Sequence, residues 1–430
     1  MNWNRMLSLL PGSDGQPRAQ SARGESRRAV PRLRALGPVA ARAGRIARPG
    51  RRRFVGLAPT RGDAESGARL TTTGASRPMA SPSDVIFIST PLEIEQVARI
   101  RAAAGARVEV IHEPDLHPPL RYVADHNGVD GFARTAEQEA RWRRHLARAT
   151  ILWDFPPKSA DGTGGFALAP NVRWVQTTSA GVGQMVARLG LADSDLVVTT
   201  ASGVHAEALT EFVFLALLAH VKDLPRLQRD QRAHKWERYC CSELAGKTIA
   251  IVGAGKIGAQ TARIAKAFGM RAIGVVANPS PSRAAAMGLD ALYGMDDLRQ
   301  ALAQADAVVL STPHTPRTER MIDDRAIADM KPGVVLVNVA RGVVIDEAAM
   351  IAALRRRHIG LAALDVATIE PLPADSPLWD MDNVLISPHS ASTAPSENRK
   401  ITDIFLHNLA CWLEGRRDAM RNVLDKKRMY

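Results

Sequence analysis

One stretch, Thr248-Ile-Ala-Ile-Val-Gly-Ala-Gly-Lys-Ile-Gly258, limits what this chain can become more than any other. Thr248 to Val252 reads as a short buried strand, and Gly253-x-Gly255-x-x-Gly258 follows without a gap. Beyond it Ile257, Thr261, Ile264, Ala265 and Phe268 fall on one face of a helix. Gly253 permits the tight turn, Gly255 lets the backbone come close to a pyrophosphate, and Gly258 lets the helix pack on its strand. The helix N-terminus adds N–H groups and positive potential. Strand, glycine turn and helix in that order predict a dinucleotide held by Gly253, Gly255, Lys256, Ile257 and Gly258.

Around this unit, strand-like and helical runs alternate. Before it stand Val85–Ser89, a helix near Leu92–Ala104, Val108–Ile111, a helix near Ala136–Ala149, Ile151–Asp154, Val172–Gln176 and Leu196–Thr200, which read as a small α/β domain. Leu209–Val221 is apolar on most faces and needs cover, in a link between domains or at a dimer interface. After the glycine turn come strands 272–276, 307–311, 334–338, 361–365 and 384–386, with helices from about Ser282, at 297–303 and at 346–356. A last helix spans 398–414. Such alternation implies a parallel doubly wound sheet, whose ligands sit outside the carboxyl ends of its strands.

The net charge of +13 suggests nucleic acid until it is divided along the chain. Residues 1–80 hold sixteen Arg, no Lys and four acids, a net +12, which leaves +1 for the rest. The folded part is therefore not expected to bind nucleic acid. The Arg-, Ala-, Gly-, Pro- and Ser-rich segment is expected to be a disordered basic arm. It reads as an organelle transit peptide, as a tail for nucleic acid or anionic lipid, or as sequence ahead of the true start. Met79, just before the first strand, favours the last. The most apolar run, Phe212–Val221, is too short to span a bilayer, so no membrane contact is expected. Cys240, Cys241 and Cys411 have neither metal-ligand nor disulfide spacing, so no metal is expected, and a reducing, cytoplasmic setting fits.

Arg341, Glu370 and His389 each follow a strand of the second sheet and so open on one edge. A guanidinium grips a carboxylate and polarises the neighbouring carbonyl, while an imidazolium gives that oxygen a proton as hydride reaches carbon. The carboxylate orients the ring and favours its charged form. Thr178-Ser-Ala-Gly-Val-Gly183 is a glycine-bearing loop after a strand, placed to offer N–H groups to an anion.

With Gly246-Lys-Thr through Gly258, Pro313-His-Thr-Pro-Arg-Thr318, Met330-Lys-Pro-Gly through Gly342, Leu364-Asp-Val through Leu372 and Asn383 through His389, the chain resembles the D-isomer-specific 2-hydroxyacid dehydrogenase family over about residues 83–415. The likeness extends to its glyoxylate/hydroxypyruvate reductase-like and phosphoglycerate dehydrogenase-like members. It implies an α/β fold in which a Rossmann-type doubly wound coenzyme domain, 209–391, is inserted in a smaller flavodoxin-like substrate domain, 83–208 plus 392–430. It also implies a homodimer. In the family pattern Arg341, Glu370 and His389 are catalytic. Ala180, Gly181 and Val182 join Arg341 on the substrate carboxylate. Thr312, Pro313, Thr318, Val339, Ala340, Arg341, Asp365 and His389 line the coenzyme, and His314 is a loop residue.

The usual acid at the end of the second coenzyme strand is missing, since Val276 stands there. Asn278, Ser280, Ser282 and Arg283 lie just beyond it, so NADP is expected over NAD. The expected activity is hydride transfer between this coenzyme and a small D-2-hydroxy acid or 2-oxo acid, with glyoxylate and hydroxypyruvate the first substrates by analogy. The side-chain pocket is expected to draw on Trp153–Pro157, the Thr178 loop and a tryptophan such as Trp236 or Trp379. The competing function is an NAD(H)-sensing protein resembling the C-terminal-binding-protein corepressors. A nucleic-acid binder would rest on the arm alone.

Overall fold

The computed structural model describes residues 84–157 and 165–430. The Arg-rich arm lies outside the described residues, as does residue 83. From Val85 the chain builds a five-stranded parallel sheet from β1 (Val85–Ile88), β2 (Glu109–Ile111), β3 (Ile151–Trp153), β4 (Trp174–Gln176) and β5 (Val197–Thr199). Its spatial order is β2-β1-β3-β4-β5. Helices α1 (Ile94–Ala104), α2 (Ala136–Arg148) and α3 (Gly183–Arg188) connect these strands. Both sheet faces are covered, which is why the central strands β1 and β3 are apolar and buried at every position rather than alternating.

Two helices follow, α4 (Ala206–Val221) and α5 (Leu224–Arg232), and then a second sheet. It consists of β6 (Thr248–Val252), β7 (Arg271–Val276), β8 (Ala291–Gly294), β9 (Ala307–Leu310), β10 (Val334–Asn338), β11 (Ile359–Leu364) and β12 (Val384–Ile386). All pairings are parallel, in the order β12-β11-β10-β9-β6-β7-β8, with α6 (Lys256–Ala267), α7 (Pro281–Ala286), α8 (Leu298–Leu302), α9 (Asp324–Ala328) and α10 (Glu347–Arg355) in the connections. That order is the doubly wound one, and its direction reverses between β6 and β9. In the first sheet the reversal falls between β1 and β3.

The cover that α4 requires comes mainly from α6 and one face of the second sheet, where Leu209, Val213, Ala216 and Leu217 are buried. The final helix, α11 (Glu397–Leu413), returns to the first sheet. Phe405 stacks on Trp174 with ring centres 5.0 Å apart, Trp412 stacks on the same ring at 5.6 Å, and Trp412 Nε1 donates to Asp84 Oδ2 at 3.0 Å. The chain thus crosses between sheets near residues 205 and 397.

The sequence pattern left out β8, α3, α5 and α9. β8 is a half-buried edge strand of four residues, and no residue of α5 is buried, so neither carries a strong apolar period. Among the described residues no helix is long and apolar enough to cross a membrane.

Candidate active site

The glycine turn has the shape its sequence requires. Gly253 has φ +94°, and a Cβ there would stand 2.6 Å from Thr312 N and 2.7 Å from the Ser311 carbonyl carbon. Only glycine fits between these two strand ends. At Gly258 a Cβ would lie 2.9 Å from Ile251 Cγ2, so this glycine sets the closeness of α6 to β6. Gly255, the residue ahead of α6, has nothing within 4 Å of where its Cβ would be. Open space beside a helix N-terminus fits a pyrophosphate diester.

Ile257 packs into the apolar layer behind the turn. Lys256 begins α6, and its ammonium turns toward the chain crossing, donating to Ser202 O at 3.1 Å and Asn422 Oδ1 at 2.6 Å. At the end of β7 the Arg283 Nη1 donates to Asn278 O at 3.3 Å, and Ser280 Oγ accepts from Arg283 N at 3.3 Å, which gathers Asn278, Ser280 and Arg283 into one corner. After β9, Thr318 Oγ1 donates to Pro313 O at 2.8 Å and so organises its own loop. Thr312 Oγ1 is buried without a hydrogen-bond partner among the described residues. Val339 and Ala340 are buried beyond β10.

The loops after β10, β11 and β12 bring Arg341, Glu370 and His389 together. Asn338, 1% exposed, shapes the first of them by donating to Arg341 O at 3.0 Å and accepting from Ala340 N at 3.0 Å. The Arg341 guanidinium donates to Ala340 O at 2.7 Å and to Gly181 O at 3.4 Å. Burial pulls its pKa down, against the attraction of Glu370 and Asp365. Glu370 Oε2 meets His389 Nδ1 at 2.9 Å, and Oε1 accepts from Ala367 N at 3.1 Å. With Nδ1 so engaged, Nε2 is the nitrogen left for exchanging a proton with a ligand.

Asp365, 3% exposed, holds the histidine loop rather than standing free. Its Oδ1 accepts from Ser387 Oγ at 2.7 Å and from Ala391 N at 2.9 Å, and its carbonyl accepts from His389 N at 2.8 Å. His389 itself sits at φ +54°, a left-handed conformation that these bonds maintain.

The first sheet supplies the facing wall. Gly181 comes so near Arg341 that a Cβ on it would lie 1.8 Å from Nη2. Val182 is buried behind it, and Gly181 N donates to Ser179 Oγ at 3.3 Å. The loop carrying Ala180 is anchored by a bond from Thr178 Oγ1 to Asp154 Oδ2. Burial pushes the Asp154 carboxyl up, against the hydrogen bonds from Thr178 and the Phe155 N–H. A cavity of about 1180 Å³ runs along this wall and includes His389, Thr178, Ser179, Val182 and Asp154 in its lining.

Asp154 falls within the Trp153–Pro157 stretch expected at the side-chain pocket, whereas Asn338 and Ser387, at the carboxyl ends of their strands, had no expected role of their own. The tryptophans need correction. Trp236 is 98% exposed, Trp379 donates to Pro373 O, and Trp153 is sealed in the core against Phe405, so none lines the cavity, whereas Phe155, Pro156 and Pro157 do. His314 pairs with Glu319 in its loop at 3.3 Å. Among the described residues no cluster of three or more His, Cys, Asp or Glu side chains is placed to hold a metal ion.

A glycine turn at the switch point of one sheet, with an arginine and a histidine–carboxylate pair at its strand ends, defines a dinucleotide-dependent class of protein. Residues 214–391 match the model of the D-isomer specific 2-hydroxyacid dehydrogenase NAD-binding domain. The chain is 31% identical over 256 residues to glyoxylate reductase of Korarchaeum cryptofilum, covering 58% of this chain and 76% of that one. It is 38% identical over 299 residues to D-3-phosphoglycerate dehydrogenase of Mycobacterium bovis, which is 66% of this chain and 55% of the relative. The chain therefore spans about half the length of that enzyme. A solved D-isomer specific 2-hydroxyacid dehydrogenase from Xanthobacter autotrophicus Py2, in complex with NADPH and MES, superposes with a TM-score of 0.62 at 29% identity. It covers 81% of this chain and 100% of that one. The chain belongs to the D-isomer specific 2-hydroxyacid dehydrogenase family.

Proposed function

We propose that this protein reduces a small 2-oxo acid to the D-2-hydroxy acid with a nicotinamide coenzyme. The observation that carries the reading is the His389–Glu370 pair in the same strand-end cleft as Arg341. When bound, the coenzyme supplies a hydride, two electrons and one hydrogen, to the carbonyl carbon. Arg341 and the backbone of Ala180, Gly181 and Val182 hold the substrate carboxylate. His389 Nε2 gives its proton to the carbonyl oxygen, so the C=O becomes CH–OH and the imidazole is left neutral, oriented by Glu370. Residues 209–391 carry the coenzyme in this reading, and residues 83–208 with 392–430 carry the substrate.

NADP is favoured over NAD. Val276 at the end of β7 offers no carboxylate to ribose hydroxyls, and Asn278, Ser280 and Arg283 stand together beside it, suited to a 2′-phosphate. A homodimer through the second-sheet unit is part of the same reading, because Leu215, Leu227 and Phe268 leave apolar surface on α4, on α5 and at the end of α6. The test is turnover of NADPH and NADH by the purified chain against glyoxylate and other 2-oxo acids, with both dissociation constants measured. Coenzyme binding without turnover on any of them refutes the activity, and tighter NADH refutes the preference.

A further inference from the structure

Beyond the residues assigned to the carboxylate and the proton, the cavity has a wall built at the carboxyl ends of three adjacent strands of the first sheet. Thr90 follows β1, His117 follows β2 and Asp154 follows β3, and all three line the cavity that His389 enters. The reversal of strand order between β1 and β3 makes this the crevice where an open α/β sheet places ligands.

Among the described residues, the basic side chains on this wall already have partners. Arg121 makes a two-pronged bond with Asp125, at 2.8 and 2.9 Å. Arg134 lies 3.6 Å over the Trp142 ring, donates to Leu116 O and has Glu139 at 3.6 Å. Arg143 meets the same Glu139 at 2.8 Å, while His126 and His205 share Glu397 at 3.1 Å each. His117 is neutral, since burial, with His112 and Arg134 nearby, pushes its pKa down to about 3. A phosphate or second carboxylate would have to displace one of these carboxylates.

Uncharged hydrogen-bonding capacity, in contrast, is unused. Thr90 Oγ1 and His117 Nε2 have no hydrogen-bond partner among the described residues, although Thr90 and His117 are each only 7% exposed. The neutral ring can offer Nε2 as an acceptor in one tautomer and as a donor in the other.

We propose that Thr90 and His117 recognise the side chain of the 2-oxo acid, and that the side chain they select is uncharged and bears a hydroxyl group. This rests on the reading of the chain as a 2-oxo acid reductase. A ligand hydroxyl both donates and accepts, so it suits the Thr90 hydroxyl and His117 Nε2 in either tautomer. A methyl group satisfies neither, and a phosphate ester brings negative charge to a wall whose cations, among the described residues, already have carboxylate partners.

Three ligands test this on the full chain. They are hydroxypyruvate, 2-oxobutyrate, which has a methyl in place of that hydroxyl, and phosphonooxypyruvate, in which the hydroxyl is esterified. The kcat/KM for hydroxypyruvate should exceed that for 2-oxobutyrate by about 10- to 100-fold, and that for the phosphate ester by at least as much. Thr90→Val should bring the first ratio toward one, and Thr90→Ser should retain it. Equal values for hydroxypyruvate and 2-oxobutyrate, or a preference for the phosphate ester, overturn the inference. The wild-type ranking decides even if Thr90→Val does not fold. If nothing turns over, the reductase reading has failed, and the three dissociation constants on coenzyme-loaded protein still test the wall by the same ranking.

Discussion

Gly181→Ala tests the site where the two sheets meet. The added Cβ would stand 1.8 Å from Arg341 Nη2 and 2.7 Å from its Cζ, against about 3.4 Å for an ordinary contact. The guanidinium must therefore retreat by roughly 1.6 Å, because the loop carrying residue 181 is held through Thr178 and Asp154 while Arg341 ends in a flexible side chain. A misplacement of about 1 Å in a positioning group costs on the order of 100-fold in rate, so kcat/KM should fall by about that factor. Stability should not fall with it. Gly181 is not in the left-handed region, so alanine is tolerated there, and stiffening the unfolded chain contributes about 0.4–1 kcal/mol. The assay is steady-state reduction of glyoxylate beside the urea midpoint and the coenzyme dissociation constant of the same preparation. A folded variant with kcat/KM within about threefold of wild type would show that the Arg341 position seen here is not the one used.

Three other outcomes follow from the geometry. His389→Gln should lower kcat by about 10²- to 10⁴-fold with little change in coenzyme affinity, read by single-turnover kinetics and fluorescence titration. Gly253→Ala should lose coenzyme binding and about 1–3 kcal/mol of stability, because φ is +94° and the atoms 2.6 and 2.7 Å away are backbone. His117 should make stability depend on pH. The unfolded ring takes up its proton below about pH 6.5, while the buried ring resists until about 3, so the unfolded state binds more protons in that window and stability rises with pH. From pH 6.5 to 5 this costs about 2 kcal/mol, and urea unfolding of His117→Gln should lack that share of the loss.

The element order was legible because its signals are local. The glycine spacing fixes one strand–turn–helix unit, and apolar runs broken by helical periods fix the parallel alternation, so strands such as Thr248–Val252 and Val334–Asn338 stand where the pattern put them. Arg341, Glu370 and His389 lie three to six residues past β10, β11 and β12, and singly each reads as an ordinary loop residue, so it was their order and spacing, with the family resemblance, that marked them. Contacts between loops were not legible. Thr178 and Asp154 lie 24 residues apart and meet only because β3 and β4 pair in register, and Arg341 reaches a carbonyl 160 residues away. Lys256 shows the limit most sharply. Its place in the glycine motif puts its backbone at the start of α6 and says nothing of its ammonium, which two neutral oxygens at the chain crossing hold. A motif specifies backbone shape at each glycine, where the lack of a Cβ is decisive, but leaves open the direction of a long side chain between them. Asp365 follows the same logic. Its position after β11 marks it as functional, whereas the three bonds that tie Asp365 to the His389 loop make it the residue that holds a left-handed histidine in place.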